Sequence, residues 1–269
     1  MADNNGKALA GRVALVNAAG RGIGRGTAEA LAAGGARLIV ASLNGDAITS
    51  LAADLAARHG VEVVGMIGDV TRPDTAQTLV GAAVQRFGGL DILVNNSGGP
   101  PRGQFTDFDD AAWQDAFDLL LLSVVRMVRA ALPWLRASAH GGRIVTVAST
   151  SVKQPVENLI LSNSLRAAVA GLSKTLADEL GPDGVTVNLV CPGSILTDRL
   201  RSGFRARAAE AGVDVDKLVA GEAGRKVPLG RVGMPADLGN LIAYLCSDAG
   251  SYITGQVIAV DGGMLRGTF

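Results

Sequence analysis

Near its start the chain carries an apolar run that ends abruptly at a glycine-rich turn. Val13-Ala14-Leu15-Val16 is followed by Asn17-Ala18-Ala19-Gly20-Arg21-Gly22-Ile23-Gly24 and then by an alanine-rich stretch from Arg25. Strand, tight turn and helix in that order leave the first helical amides unpaired beside backbone with almost no side-chain bulk. Gly22 and Gly24 let a ligand, and the helix itself, come close because no Cβ intervenes. A pyrophosphate suits such a seat, but a plain βα turn has the same local pattern. The rest of the chain has to decide.

Downstream, strands and helices alternate. Arg37–Ser42 reads as a second strand, Ala47–His59 as an amphipathic helix closed by Gly60, and Val61–Ile67 as a third strand running into Gly68-Asp69-Val70. A helix over Pro73–Phe87 precedes a fourth strand, Leu90–Val94, which ends at Asn95-Asn96-Ser97-Gly98-Gly99. A long helix is expected over Ala111–Arg136, continuing through Pro133. Then come strand Arg143–Val147, helix Ile160–Leu180, strand Val185–Val190 and a last strand, Gln256–Val260.

This alternation predicts an α/β fold: a single-domain, Rossmann-type, doubly wound parallel sheet with helices on both faces and ligands at the carboxyl ends of the strands. Residues 1–11 read as a flexible lead-in and 12–269 as one domain. The segment Ser194–Gly233 breaks the alternation, being helical and polar, and is expected to form a lid. Its Arg199, Arg201, Arg205 and Arg207 either meet an anionic substrate or solvate a lid helix, and the second reading carries more weight.

Bulk properties narrow the function. Lys plus Arg number 25 and Asp plus Glu 25, so the chain has no net charge to attract nucleic acid. No uninterrupted apolar stretch approaches the roughly 18 residues of a membrane span, and the first residues lack the apolar core of a signal peptide. A cytoplasmic protein acting on a small molecule, with no nucleic-acid or membrane partner, is the expectation. Cys191 and Cys246 match no metal or redox spacing and read as buried free thiols. No metal site is expected, and His59 and His140 read as surface residues on connections. The 36 glycines, about twice the usual share of ~7%, suit many tight βα turns.

With these elements in place, the chain resembles the short-chain dehydrogenase/reductase family over nearly its whole length. That family's turn is Thr-Gly-x-x-x-Gly-x-Gly; here Asn17 stands for the Thr and Ala18 for the first glycine, while Gly22 and Gly24 remain. Gly68-Asp69-Val70 resembles the family segment whose Asp bonds the adenine ring, and Asn95-Asn96-Ser97-Gly98 its Asn-Asn-Ala-Gly. Pro192-Gly193-Ser194-Ile195-Leu196-Thr197 resembles its Pro-Gly-x-Ile-x-Thr, whose backbone and Thr hold the nicotinamide amide.

The resemblance therefore implies a nicotinamide dinucleotide held by Asn17, Gly20, Arg21, Gly22, Ile23, Gly24, Asp69, Val70, Asn96, Ser97, Gly98, Pro192, Gly193, Ile195 and Thr197. Ser42, Leu43 and Asn44, at the end of the second strand, would decide the cofactor. No carboxylate stands there to bond an NAD ribose or repel a 2′-phosphate, and Arg21 lies within reach of one, so the lean is weakly to NADP(H) over NAD(H). Ile253-Thr254-Gly255-Gln256 and Val260-Asp261-Gly262-Gly263 resemble the family's C-terminal end, which implies a homo-oligomer, a dimer or tetramer.

The catalytic stretch departs from the family. Its Ser is matched by Ser149, but its Tyr-x-x-x-Lys falls on Ser162 and Arg166, and its Asn on the long helix falls on Leu120. An aliphatic hydroxyl is a far weaker acid than a phenol, and a guanidinium stays protonated at any useful pH, although it can still hold ribose hydroxyls. Lys153 and Glu157, on the loop between Ser149 and Ser162, are candidates to supply a proton. The expected activity is an NAD(P)(H)-dependent oxidoreductase acting on a small carbonyl, alcohol or related group through a non-standard proton relay. The alternatives are a catalytically degenerate cofactor-binding partner subunit, or a lyase, cyclase or isomerase reusing the pocket.

Overall fold

A computed structural model describes residues 7–268, the side chains of Arg199 and Glu222 excepted. Seven strands form one parallel sheet in the order β3-β2-β1-β4-β5-β6-β7. They are β1 Val13–Val16, β2 Arg37–Ser42, β3 Val63–Ile67, β4 Ile92–Asn95, β5 Arg143–Val147, β6 Thr186–Pro192 and β7 Val257–Val260. In register, Val16 lies between Val40 on one side and Val94 on the other, so β1 sits where the strand order reverses. Ligands of open parallel sheets bind at such a switch point.

The helices are α1 Gly22–Ala33, α2 Gly45–His59, α3 Thr75–Phe87, α4 Asp110–Phe117, α5 Ser123–Arg136, α6 Ile160–Leu180, α7 Asp198–Ala211, α8 Val215–Lys226 and α9 Pro235–Cys246. One face of the sheet is covered by α1, α2 and α9, through Leu31, Leu51, Leu55, Leu238 and Ile242. The other is covered by α3, α5 and α6, through Leu79, Met127, Leu135 and Leu180. Central strands buried on both faces explain the near-continuous apolar runs that made them readable.

Four expectations are corrected. The lead-in of 1–11 is too long: Leu9 is buried, its N–H donates to the Gly34 carbonyl at 2.8 Å, and the Lys7 ammonium reaches the His59 carbonyl at 2.8 Å. Residues 1–6 lie outside the described residues. The long helix 111–136 is two helices joined by a π-helical turn at Asp118–Leu122, where Ser123 Oγ donates to the Leu119 carbonyl at 2.7 Å; such turns favour functional positions. His59 is half-buried, with an Nε2 that has no hydrogen-bond partner among the described residues, whereas His140 is exposed. Finally, α9 was not anticipated.

That helix crosses α1 at two glycines. A Cβ on Gly26 would lie 2.7 Å from that of Pro235, and one on Gly239 would run into the Gly26 carbonyl oxygen. The expected lid consists of α7 and α8, stapled at its neck by Leu196 N–H to the Gly233 carbonyl (2.7 Å) and Gly233 N–H to the Ser194 carbonyl (2.8 Å). Of its arginines, Arg201 pairs with Asp216 at 3.4 Å, Arg207 stacks over Phe204, Arg205 is exposed, and the Arg199 side chain lies outside the described residues. Among the described residues no helix is long and apolar enough to cross a membrane, and no cluster of three or more His, Cys, Asp or Glu could hold a metal.

Candidate active site

The glycine turn is built for close packing. Gly22 has φ +55°, which favours glycine, and a Cβ there would stand 3.1 Å from the Thr197 methyl. A Cβ on Gly24 would collide with the Ala18 carbonyl oxygen and lie 2.8 Å from Asn96 Nδ2; one on Gly20 would be 2.6 Å from Ser42 Oγ. The turn therefore packs directly against the end of β2, the end of β4 and the entry to the lid. Arg21 precedes α1 in extended conformation and makes no side-chain cap, so the first amides of the helix point outward unpaired. These residues fit the phosphates of a dinucleotide, judged by a helix end that has no side-chain cap and glycines that carry no side-chain bulk.

Ala18, which stands where the family has glycine, has φ +49°. Its carbonyl accepts from Asn96 Nδ2 at 3.3 Å, so the turn keeps its shape although a Cβ is present. Ser42 is half-buried, Leu43 is 72% exposed, and the Asn44 side chain caps α2 by accepting from the Ala47 N–H at 2.9 Å. Asp69 accepts from both the N–H and the hydroxyl of Thr71, at 3.0 and 2.7 Å. Gly193 lies so close to Asp261 that a Cβ would be 2.6 Å from its Cβ, and Thr197 caps α7 by accepting from the Leu200 N–H. Several expected ligand contacts thus come from residues that also hold local structure.

Behind the turn lies a polar cleft. Asn17, Val70, Asn96, Ser97 and Arg166 of the expected set line it, joined by Asn95, Leu120, Ser123 and Thr146. The Oδ1 atoms of Asn17 and Asn95 are buried there without a hydrogen-bond partner among the described residues, although Asn95 Nδ2 reaches Thr146 Oγ1 at 3.3 Å. Leu120 occupies the π-helical turn and faces this cleft, filling with hydrocarbon a place where the family carries an amide.

Ser149, Ser162 and Lys153 do not line that cleft. Ser149 follows β5, half-buried, and its Oγ accepts from the Ser151 N–H at 3.1 Å. Ser162 is buried in the first turn of α6, and one turn later Arg166 donates from Nη1 to the Val147 carbonyl at 3.0 Å. Lys153 and Glu157 are exposed on the intervening loop.

Cys191, near the end of β6, is buried beside Ser149. Burial pushes its thiol up to about 11, while the Ser149 N–H and the nearby charges of Arg166 and Lys153 pull the other way. The buried Cys191 thiol thus lies against the Ser149 backbone, within the field of the Arg166 and Lys153 charges. Both cysteines are free and buried.

Sequence reasoning missed Asn95, Ser123 and Thr146 as lining residues, and Asn163 as a structural partner of the loop beside Ser162. Asn95 was within the quoted Asn-Asn pair. The others offer no local signal, because only the crossing of β5, α5 and α6 brings them together.

A doubly wound parallel sheet with a side-chain-free cradle at its switch point and hydroxyls beside the end of β5 defines a dinucleotide-binding class of α/β enzyme. The chain belongs to the short-chain dehydrogenase/reductase family and is an oxidoreductase. A family model described as enoyl-(acyl carrier protein) reductase matches residues 18–265.

Among curated relatives, the ketoacyl reductase assigned to the monensin polyketide synthase of Streptomyces virginiae is 39% identical, over 94% of this chain and 97% of the relative. Among solved structures, L-sorbose reductase from Gluconobacter frateurii complexed with NADPH and L-sorbose superposes with a TM-score of 0.93. It shares 32% identity over 97% of this chain and 99% of its own. An NADPH-bound short-chain oxidoreductase from Pseudomonas aeruginosa PAO1, described as containing an atypical catalytic center, gives 0.87 with 31% identity over 96% and 98%.

Proposed function

We propose that the chain is an NAD(P)(H)-dependent, weakly NADP(H)-preferring reductase or dehydrogenase of a small carbonyl, alcohol or related group, working without a tyrosine acid. The carrying observation is the hydrogen bond from the Ser151 N–H to Ser149 Oγ. With a lone pair engaged there, the Ser149 proton is directed elsewhere, and a substrate oxygen is its natural acceptor. The dinucleotide, held by the turn residues, Asp69, Val70, Asn96 to Gly98 and the Pro192 to Thr197 segment, supplies or takes up hydride when bound.

Around it, Ser149 bonds the substrate oxygen, and the fixed charge of Arg166 favours negative charge developing there. Arg166 also offers donors for ribose hydroxyls. Ser162 hydrogen-bonds water, which carries the proton that its own hydroxyl is too weak an acid to give; Lys153 is a second source. A missing general acid costs about 10²–10⁴-fold, a slowing that positioned hydride transfer survives. The neighbour from P. aeruginosa described as atypical supports the view that the family accommodates such centres.

The NADP(H) lean rests on Ser42 and Leu43, which offer no carboxylate, and on exposed Arg21. A homo-oligomer is proposed from the wholly exposed Tyr252 and the half-buried edge strand β7 at the C-terminal end, with the cytoplasm as its compartment.

Absorbance at 340 nm with NADPH and a panel of ketones, imines and activated alkenes tests the activity, and Ser149→Ala should lower turnover about 100-fold. Absence of cofactor oxidation with every substrate would refute the activity and favour a partner subunit or a non-redox enzyme. An unchanged rate in Ser149→Ala would remove Ser149 from the mechanism.

A further inference from the structure

The loop from Lys153 to Leu159 separates Ser149 from Ser162 and, on the reading proposed above, forms one wall of the substrate pocket. It has no regular structure of its own beyond the turn at Thr150–Val152, yet it is tied down at its middle and at its end. At its middle, the Val156 N–H donates to Asn163 Oδ1 at 3.3 Å, and Asn163 Nδ2 donates to the Val156 carbonyl at 2.9 Å. One carboxamide thus satisfies both polar groups of one peptide residue, as a paired strand would. Asn163 is itself fixed, its N–H donating to the Leu159 carbonyl at 2.8 Å in the first turn of α6.

At its end, Asn158 adopts φ +57°, a conformation unfavourable for most side chains. Its carbonyl is thereby turned to accept from the Gly103 N–H at 3.0 Å, and Gly103 bridges Leu159 in parallel fashion. Gly103 belongs to the opposite wall, 99–108. That wall is packed so tightly that a Cβ on Gly103 would stand 2.8 Å from the Phe108 ring and 2.9 Å from Asp107 Oδ2. Asp107 in turn accepts from the Gln104 N–H at 2.7 Å.

From this continuous chain of contacts, α6 to Asn163, to Val156, to Asn158, to Gly103, we infer that Asn163 is a positioning residue that holds both substrate walls as one unit against the helix carrying Ser162 and Arg166. Its neighbour Ser162 is buried, while Asn163 sets the shape of the mouth through which, on the reading proposed above, a substrate reaches the site. Without the carboxamide, the loop keeps the Gly103 seam at its end and the Lys153 and Gln154 N–H bonds to the Thr150 carbonyl at its start, and the left-handed Asn158 has lost the anchor between them.

Hydrogen exchange on the cofactor-free protein tests this without any turnover, so failure of the oxidoreductase reading leaves the test intact. Asn163→Ala should speed exchange at least ~10-fold in both 153–159 and 101–108, with exchange across Val169–Leu180 unchanged and NADPH affinity within about 2-fold of the parent. Asn163→Asp keeps the acceptor for the Val156 N–H but sets a carboxylate against its carbonyl, and should fall between parent and Ala. With a carbonyl substrate that the parent reduces, KM should rise about 5–30-fold while kcat changes less. Faster exchange confined to Val156, unchanged exchange, or a loss spread over the whole chain would overturn the inference, as would a fall in kcat at constant KM.

Discussion

Ala18 is the sharpest place to test the account of the cofactor seat. Its φ of +49° puts an L side chain in the left-handed region, at a cost of about 1–2 kcal/mol that glycine escapes. The residue is held there, because its carbonyl is engaged by Asn96 Nδ2 and faces Gly24 so closely that a Cβ on Gly24 would collide with it. Ala18→Gly removes the strain but widens the unfolded ensemble, an opposing term of about 0.4–1 kcal/mol. The net gain is about 0.5–1 kcal/mol, and a chain of this length should then melt about 1–3 °C higher. Thermal unfolding of the apo protein by circular dichroism, with a urea titration to show an unchanged m-value, measures it. An equal or lower melting temperature would refute the claim that the turn stores strain at Ala18 and would show that the methyl's packing outweighs its backbone cost.

Other outcomes follow from the same structure. Gly24→Ala forces a Cβ onto the Ala18 carbonyl and Asn96, so dinucleotide affinity by calorimetry should drop by about two orders of magnitude or more; near-parental binding would contradict the cradle. Gly239→Ala pushes α9 off α1 and should cost about 2 kcal/mol by urea unfolding. The buried thiols of Cys191 and Cys246 are pushed up to about 11 and about 12 from the usual 9. The unfolded chain therefore loses these protons first as pH rises, and stability should fall above pH 9 by about 1.4 kcal/mol per unit and thiol, until each folded value is reached. Replacing both cysteines by alanine should flatten that alkaline loss. Calorimetry should also give tighter binding of NADPH than of NADH by about 10-fold; the reverse would overturn the cofactor lean.

What could be read before any coordinates were those features whose signal is local. Val13–Val16, Ile92–Val94 and Arg143–Val147 announce buried strands by continuous hydrocarbon, and Gly22 and Gly24 announce a cradle because nothing else fits there. Helix α6 was legible to the residue at both ends, Ile160 and Leu180. The π-helical turn at Asp118–Leu122 was not, since four consecutive leucines satisfy a regular helix as well as a wider one. Helix α9 escaped because its apolar residues begin beyond a lid that interrupts the alternation. In the site, Ser149 and Arg166 were found by spacing, but the orphaned oxygens of Asn17 and Asn95 exist only after distant strands pair, and the Asn163 carboxamide shows only once the loop before α6 folds back on it.

The crossing of α1 by α9 also dictates when this end of the sheet can be completed. The first βα unit emerges from the ribosome early, but the face of α1 that carries Gly26 finds its cover in Pro235 and Gly239, more than two hundred residues later. A nascent chain lacking that helix holds an α1 that still packs on β1, β2 and α2 but has its Gly26 face uncovered. Completion of this end of the sheet is thus deferred until synthesis is nearly over, and a chain cut short before residue 235 should be less stable at α1 than the whole.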